Sequence, residues 1–154
     1  MAFVRRLAAT LLLTIGIAPG CAPAQEYLLL ERFFHASRLL DRTALARFST
    51  VIFEPLEHGT VTAFEVVGVS PDRWVELPPE VRRQVAALSL GDALNPVDVE
   101  DAAVRIQVRE VAVDATVRRP NGSPVERALT VTLERAVPES GSAIVGRWIV
   151  TAFR

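Results

Sequence analysis

The strongest constraint on the fold is a hairpin signal in the last third of the chain. The tripeptide Pro120-Asn121-Gly122 separates two long segments in which apolar and polar residues alternate. Pro and Asn suit the central positions of a type I turn, and Gly suits the left-handed position that follows. Pairing Arg119 with Ser123 sets apolar residues opposite one another, at Val117–Val125, Val113–Leu129 and Val111–Val131. We therefore predict two long antiparallel strands, Ala103–Arg118 and Val125–Val137.

The apolar residues change parity within the first of these strands. Val104, Ile106 and Val108 occupy even positions, whereas the apolar residues from Val111 to Val117 occupy odd ones. A one-residue bulge at Arg109-Glu110 would return both sets to one face and bend the strand. We predict such a bulge, followed by the hairpin and by a third strand, Ala143–Phe153, which carries Trp148.

Helical periodicity dominates the segment before the strands. Apolar residues between Glu26 and Phe48 recur at steps of three and four, which places them on one face of a helix. Asp41 can cap a second short helix that begins at Arg42. We expect the aromatic residues of this stripe to pack on the sheet near Val113 and Leu129: Phe33, Phe34 and Phe48.

The middle of the chain predicts two strands and a further helix. Thr50–Phe53 and Thr60–Val69 read as strands, separated by a turn at Glu57-His58-Gly59. Pro78-Pro79 begins the helix, because proline lacks the N–H that the first helical turn leaves unpaired. Its apolar face carries Val81, Val85 and Leu88.

Residues 1–24 follow the pattern of an export signal. Arg5 and Arg6 precede a short apolar run, and the helix breaker Pro19-Gly20 is followed by Cys21 and by Ala22-Pro23-Ala24. Cleavage after Ala24 gives a freely secreted protein that begins at Gln25. Cleavage before Cys21, which resembles the lipid-modified cysteine of bacterial lipoproteins, gives a membrane-anchored one. Both sites stay open, and both predict a periplasmic location or one on the outer side of the cytoplasmic membrane.

Composition limits what residues 25–154, expected to form one domain, can do. Half of the chain is apolar and the net charge is −1, which favours a globular domain and argues against nucleic-acid binding. All 17 basic residues are arginine, so the chain has no amine for a Schiff base. Its single cysteine excludes a disulfide within the chain.

These elements define an α+β fold with N-terminal helices on one face of a curved, bulged antiparallel sheet. The helix pair and the three long strands resemble the nuclear transport factor 2-like superfamily, which includes ketosteroid isomerase and polyketide cyclases. This resemblance implies a cone-like sheet whose mouth holds a small apolar ligand. It implies no particular reaction, because many members of the superfamily are binding or dimerisation modules.

Residues for catalysis are few, and we predict no catalytic residue, metal or cofactor. Tyr27 is the only tyrosine and stands at the start of the domain, so the isomerase dyad of tyrosine and acid does not map onto it. We expect His35 on the solvent side of the first helix and His58 in a solvated turn. A catalytic carboxylate in a cone would have to come from one of four residues: Glu65, Asp98, Glu100 or Asp101.

The back of the first helix carries Leu28, Arg32, His35 and Leu39, in which two leucines lie outside the main apolar stripe. Another part of the chain could cover them, or they could form a surface for a second copy or an envelope protein. The sequence thus predicts an exported, non-catalytic module that binds a partner protein or a small apolar ligand. The alternative is a small isomerase, cyclase or hydratase.

Overall fold

A computed structural model of the chain describes residues 24–91, 103–139 and 145–154. It contains helices and one antiparallel sheet, which confirms the α+β class. Helices α1 (Ala24–Arg38), α2 (Arg42–Leu45) and α3 (Pro55–His58) precede strands β1 (Thr60–Val69) and β2 (Arg73–Val75). Helix α4 (Pro79–Leu90) is followed by strands β3 (Val104–Arg118), β4 (Pro124–Pro138) and β5 (Ile149–Phe153).

The joint between the first two helices is as predicted. Leu40 takes a left-handed backbone conformation with φ +53°, which ends the path of α1. The side chain of Asp41 then accepts a hydrogen bond from the backbone N–H of Ala44 at 2.9 Å and caps α2.

The predicted hairpin and its register are confirmed. Val117 pairs with Val125, Val113 with Leu129 and Val111 with Val131. Gly122 has φ +86°, and its N–H donates to the carbonyl of Arg119 at 2.8 Å. Strand β1 pairs with the other edge of β3, β2 continues along that same edge, and β5 pairs with β4.

The bulge predicted at Arg109-Glu110 is wrong. The register between β3 and β4 runs without a shift from Val104–Pro138 to Arg118–Pro124, so side chains alternate between the two faces throughout. The apolar residues of β3 change from even to odd positions because the two ends of the strand bury opposite faces. Val111 to Val117 lie against α1 and α2, whereas Ile106 and Val108 lie on the opposite face against α4.

Helices therefore cover both faces of the sheet, each at a different end: the N-terminal helices lie on one face, as predicted, and α4 lies on the opposite face. Near the hairpin loop, one face packs on the N-terminal helices. At the far end, α4 packs on the opposite face through Val85, Ala86 and Leu90. The register shifts of this sheet lie elsewhere: β1 has an extra residue at Thr62 and at Val67 relative to β3, and β5 has one at Thr151 relative to β4.

Three further elements differ from the sequence prediction. Ser49, next to the predicted strand Thr50–Phe53, forms a single parallel bridge to Val150, and no strand is present there. The turn at Glu57-His58-Gly59 coincides with the end of α3. Strand β5 begins at Ile149, so Trp148 precedes it; residues 140–144 lie outside the described part of the chain.

The larger core lies between α1 and the sheet, as predicted. Phe33 is fully buried and Phe34 nearly so, and both belong to one cluster with Val113 and Leu129. Phe48 is half-buried and packs against the same cluster. His58, expected in a solvated turn, instead packs with its ring centroid 5.0 Å from those of Phe53 and Phe153.

Candidate functional site

An open groove of about 460 Å³ lies between the N-terminal half of α1, the end of α2 and the segment before β5. Helix α1 lines it with Gln25, Leu28, Leu29 and Arg32, whose spacing of three and four places them on one stripe beside the core stripe. The remaining lining residues come from two distant segments: Ala44, Arg47, Phe48, Arg147 and Trp148.

The segment that carries Trp148 is fixed by the buried hydroxyl of Ser89 on α4. That hydroxyl donates to the carbonyl of Arg147 at 2.7 Å and accepts from the N–H of Ala136 at 2.9 Å. A Cβ atom at position 146 would stand 2.1 Å from the Ser89 hydroxyl, so only glycine fits there. This close approach sets the position of Arg147 and Trp148 at the groove.

The guanidinium group of Arg147 is held by backbone carbonyls. Its Nε donates to the carbonyl of Leu88 at 3.1 Å, and its Nη2 donates to the carbonyl of Arg47 at 2.7 Å. These bonds fix the guanidinium group at the groove, and no carboxylate of the described residues forms an ion pair with it.

Beside the groove, Trp148 contacts a partly buried ion cluster, which we define as Glu26, Asp72, Arg109 and Arg135. The guanidinium carbons of Arg109 and Arg135 each lie 4.3 Å from the centroid of the Trp148 ring. Such contacts between a cation and an aromatic face are attractive. Trp148 is 4% exposed. It lines the groove and also contacts both arginines of the ion cluster, so it lies between the two.

Ion pairs connect the members of the ion cluster. Arg109 donates from Nη1 to Oε1 of Glu26, and its Nη2 lies 2.6 Å from Oδ1 of Asp72. Nη2 of Arg135 lies 3.4 Å from the other oxygen of Asp72. Two carboxylates thus face two guanidinium groups, and the charges of the cluster balance.

Glu26 is the most buried charged group in the described part of the chain, with a side chain that is 1% exposed. Its Oε1 pairs with Arg109, whereas its Oε2 has no hydrogen-bond partner among the described residues. Burial lowers the pKa of Arg135, an effect that Asp72 opposes and that the charge of Arg109 reinforces.

The predicted surface of Leu28, Arg32, His35 and Leu39 divides in the structure. All four side chains are exposed, and Leu28 and Arg32 line the groove. His35 lies outside it, with its Nδ1 3.0 Å from Nη2 of Arg38, and Leu39 is 60% exposed beyond the end of α1. A role of these residues in binding a partner stays a prediction.

Of the four carboxylates proposed for catalysis, one lies within the described residues. Glu65 is exposed on β1 and does not line the groove. Asp98, Glu100 and Asp101 lie outside the described residues, as does Cys21. Burial raises the pKa of Glu134, which lies on the opposite face of the sheet, and the hydroxyl of Thr151 and then the charge of Arg73 offset part of that rise.

Sequence reasoning missed the ion cluster, although one signal for it exists. Glu26 precedes Leu30, Phe33 and Ser37 at helical spacing, so it belongs to the buried stripe of α1. A carboxylate on such a stripe requires a buried cation, because an isolated charge is costly to remove from water. The identity of that cation, Arg109, follows only from the packing of α1 on β3.

The described ranges contain no group of three or more His, Cys, Asp and Glu side chains placed to hold a metal ion. Within these same ranges no helix has the length and apolar character needed to cross a membrane.

Comparison with models of known protein families, with curated proteins and with solved structures gives no match for this chain. The resemblance to the nuclear transport factor 2-like superfamily therefore stays a prediction.

Proposed function

We propose that this protein is an exported, non-catalytic module that binds a small apolar ligand in the groove beside Trp148. The observation that carries the proposal is the groove itself, whose apolar side chains come from three separate segments and leave about 460 Å³ of open space. That volume falls within the range of small-molecule sites. The apolar contacts would come from Leu28, Leu29, Phe48 and Trp148.

The lining residues favour binding over catalysis. The side chains named for the groove include no serine, cysteine, histidine or carboxylate within the described part of the chain. The neighbouring carboxylate, Glu26, is bound to Arg109 and lies behind Trp148, so it is occupied as an ion-pair partner. A preformed apolar surface with no proton acceptor supports a role in holding a ligand.

The groove should be tested with phenylnaphthylamine, a neutral apolar probe whose fluorescence rises on transfer from water. We expect saturable binding with one site per chain. Leu28→Ser removes apolar surface from the groove and should weaken binding about fivefold, which corresponds to roughly 1 kcal/mol of lost apolar contact. Leu28 is 50% exposed, so this variant should fold normally.

Leu39→Ser is the matched control, because Leu39 is similarly exposed but lies outside the groove. It should bind the probe as the unaltered protein does. An absence of saturable binding, or equal weakening by the two substitutions, would contradict the proposed function.

Export places the groove near the membrane if Cys21 carries a lipid. Helix α1 begins at Ala24, three residues after Cys21, a separation of at most about 11 Å along an extended chain. Gln25, in the first turn of α1, already lines the groove. A lipid anchor would therefore hold the groove close to the headgroups.

Cys21→Ser tests the anchored form of the proposal. We expect the protein to move from the membrane fraction to the soluble periplasmic fraction, with an unchanged melting temperature, because the anchor is lost and the domain is not altered. Fractionation and intact-mass measurement give the result, with Ala22→Ser as a matched control. A soluble unaltered protein whose first residue is Gln25 would show that Cys21 belongs to a discarded signal.

A further inference from the structure

We infer that the ligand of this groove is an amphiphilic anion, with an apolar body and a negatively charged group that Arg32, Arg47 and Arg147 bind. This inference rests on the proposed function and specifies its ligand class. All three arginines line the groove, and they come from α1, from the turn after α2 and from the segment before β5.

Within the described part of the chain, the three arginines differ from those of the ion cluster in having no carboxylate paired with them. Arg109 and Arg135 are paired with Glu26 and Asp72. Among residues 24–91, 103–139 and 145–154, by contrast, no carboxylate forms an ion pair with Arg32, Arg47 or Arg147. Three like charges around one concave surface create a positive potential that attracts an anion.

The side chain of Arg147 is held in position before a ligand binds. Its two bonds to the carbonyls of Leu88 and Arg47 fix the guanidinium group, so little side-chain entropy remains to be lost on binding. Guanidinium groups suit carboxylate, sulfonate and phosphate oxygens, which accept parallel N–H donors.

The apolar lining of the groove indicates that the ligand has an apolar part in addition to its negative charge. A fully polar anion would leave Leu28, Leu29 and Phe48 in contact with water, and the groove would contribute nothing beyond its charges. A soluble monomeric molecule such as a fatty-acid-like anion uses both kinds of surface at once. The occupant of the groove is therefore a soluble amphiphilic anion and not a membrane surface.

Two probes with the same ring system separate charge from apolar contact. Anilinonaphthalene sulfonate is phenylnaphthylamine with a sulfonate added. We expect the sulfonate to bind the unaltered protein about tenfold more tightly than the neutral probe, the gain from charge-assisted hydrogen bonds. High salt should weaken binding of the sulfonate and leave the neutral probe unaffected.

Arg32→Gln and Arg47→Gln should each weaken sulfonate binding about fivefold, as expected for loss of one partly exposed charge contact. Neither substitution should change binding of the neutral probe. Arg42→Gln is the matched control, because Arg42 is exposed at the start of α2 and does not line the groove. It should leave the affinities for both probes unchanged.

The outcomes separate this inference from the proposed function. Equal affinities of the unaltered protein for the two probes would overturn the inference while the proposed function stands. So would a loss of sulfonate affinity in Arg42→Gln as large as that in Arg32→Gln and Arg47→Gln. If the unaltered protein showed no saturable binding of the neutral probe, both the inference and the proposed function would be overturned. Sedimentation of residues 25–154 with vesicles of phosphatidylglycerol, together with no saturable sulfonate binding, would assign the arginines to a membrane surface and overturn the inference.

Discussion

Replacing Arg109 by methionine is expected to lower the free energy of unfolding by about 3–5 kcal/mol, the usual cost of removing one partner from a buried ion pair. The side chain of Glu26 is 1% exposed, and Arg109 is the cation that its carboxylate contacts. The variant would leave this carboxylate buried without a counter-charge. Methionine keeps most of the side-chain volume, so the loss reports chiefly on charge. Urea unfolding measures it.

Two further variants control for the effect of Arg109→Met. Arg105→Met alters an exposed arginine on the same face of β3, whose guanidinium lies 4.2 Å from the centroid of the exposed Trp74 ring, and it should cost at most about 1 kcal/mol. The double variant Glu26→Gln/Arg109→Met removes both charges and should recover most of the stability lost. Equal stability of Arg109→Met and Arg105→Met would contradict the burial of Glu26 described above.

Phe33→Ala is expected to destabilise the domain by about 3–5 kcal/mol, the range for large aromatic side chains truncated in a core. Phe33 is 0% exposed and lies between α1 and the sheet. Its ring centroid is 5.3 Å from that of Phe34 and 6.3 Å from that of Phe153, so truncation opens a cavity within an aromatic cluster. The measurement is again unfolding in urea.

Leu56→Ala serves as the control for Phe33→Ala, because Leu56 is 85% exposed and its truncation leaves no cavity. Its stability should match that of the unaltered protein. If Phe33→Ala were equally stable, α1 would not pack on the sheet through its aromatic stripe, and the position of the groove beside α1 would lose its basis.

Local sequence patterns were sufficient for the hairpin and the helix joint. Gly122 and the alternation on both sides of it specify turn type and register together, since a slip of one residue would expose the apolar face. Asp41 likewise specifies the start of α2 through a bond within its own turn. Neither feature depends on residues far away in the sequence.

The bulge prediction failed because the parity change near Arg109 has two physical explanations. A bulge keeps one face buried, whereas a continuous strand can bury opposite faces at its two ends. The second explanation holds here because α4 covers Ile106 and Val108 on the face opposite to α1. Where a helix docks is a tertiary property, and the alternation within β3 contains no information about it.

The groove was predictable in part. Leu28 and Arg32 share a face of α1 outside its core stripe, and the sequence indicates that this face is available for contacts. Arg47 and Arg147 join them only in the folded chain, where the Arg147 guanidinium binds the Arg47 carbonyl. The separation of 100 residues between these two positions hides their proximity from any local pattern.

An apolar ligand that binds beside Trp148 would be detected directly by the two indole groups of the chain. An amide-proton–nitrogen correlation spectrum contains one indole signal from Trp148 and one from Trp74, which is 45% exposed and does not line the groove. On titration with phenylnaphthylamine, the Trp148 signal should shift in a saturable way while the Trp74 signal stays in place. Movement of the Trp74 signal alone, or of neither, would contradict binding in the groove.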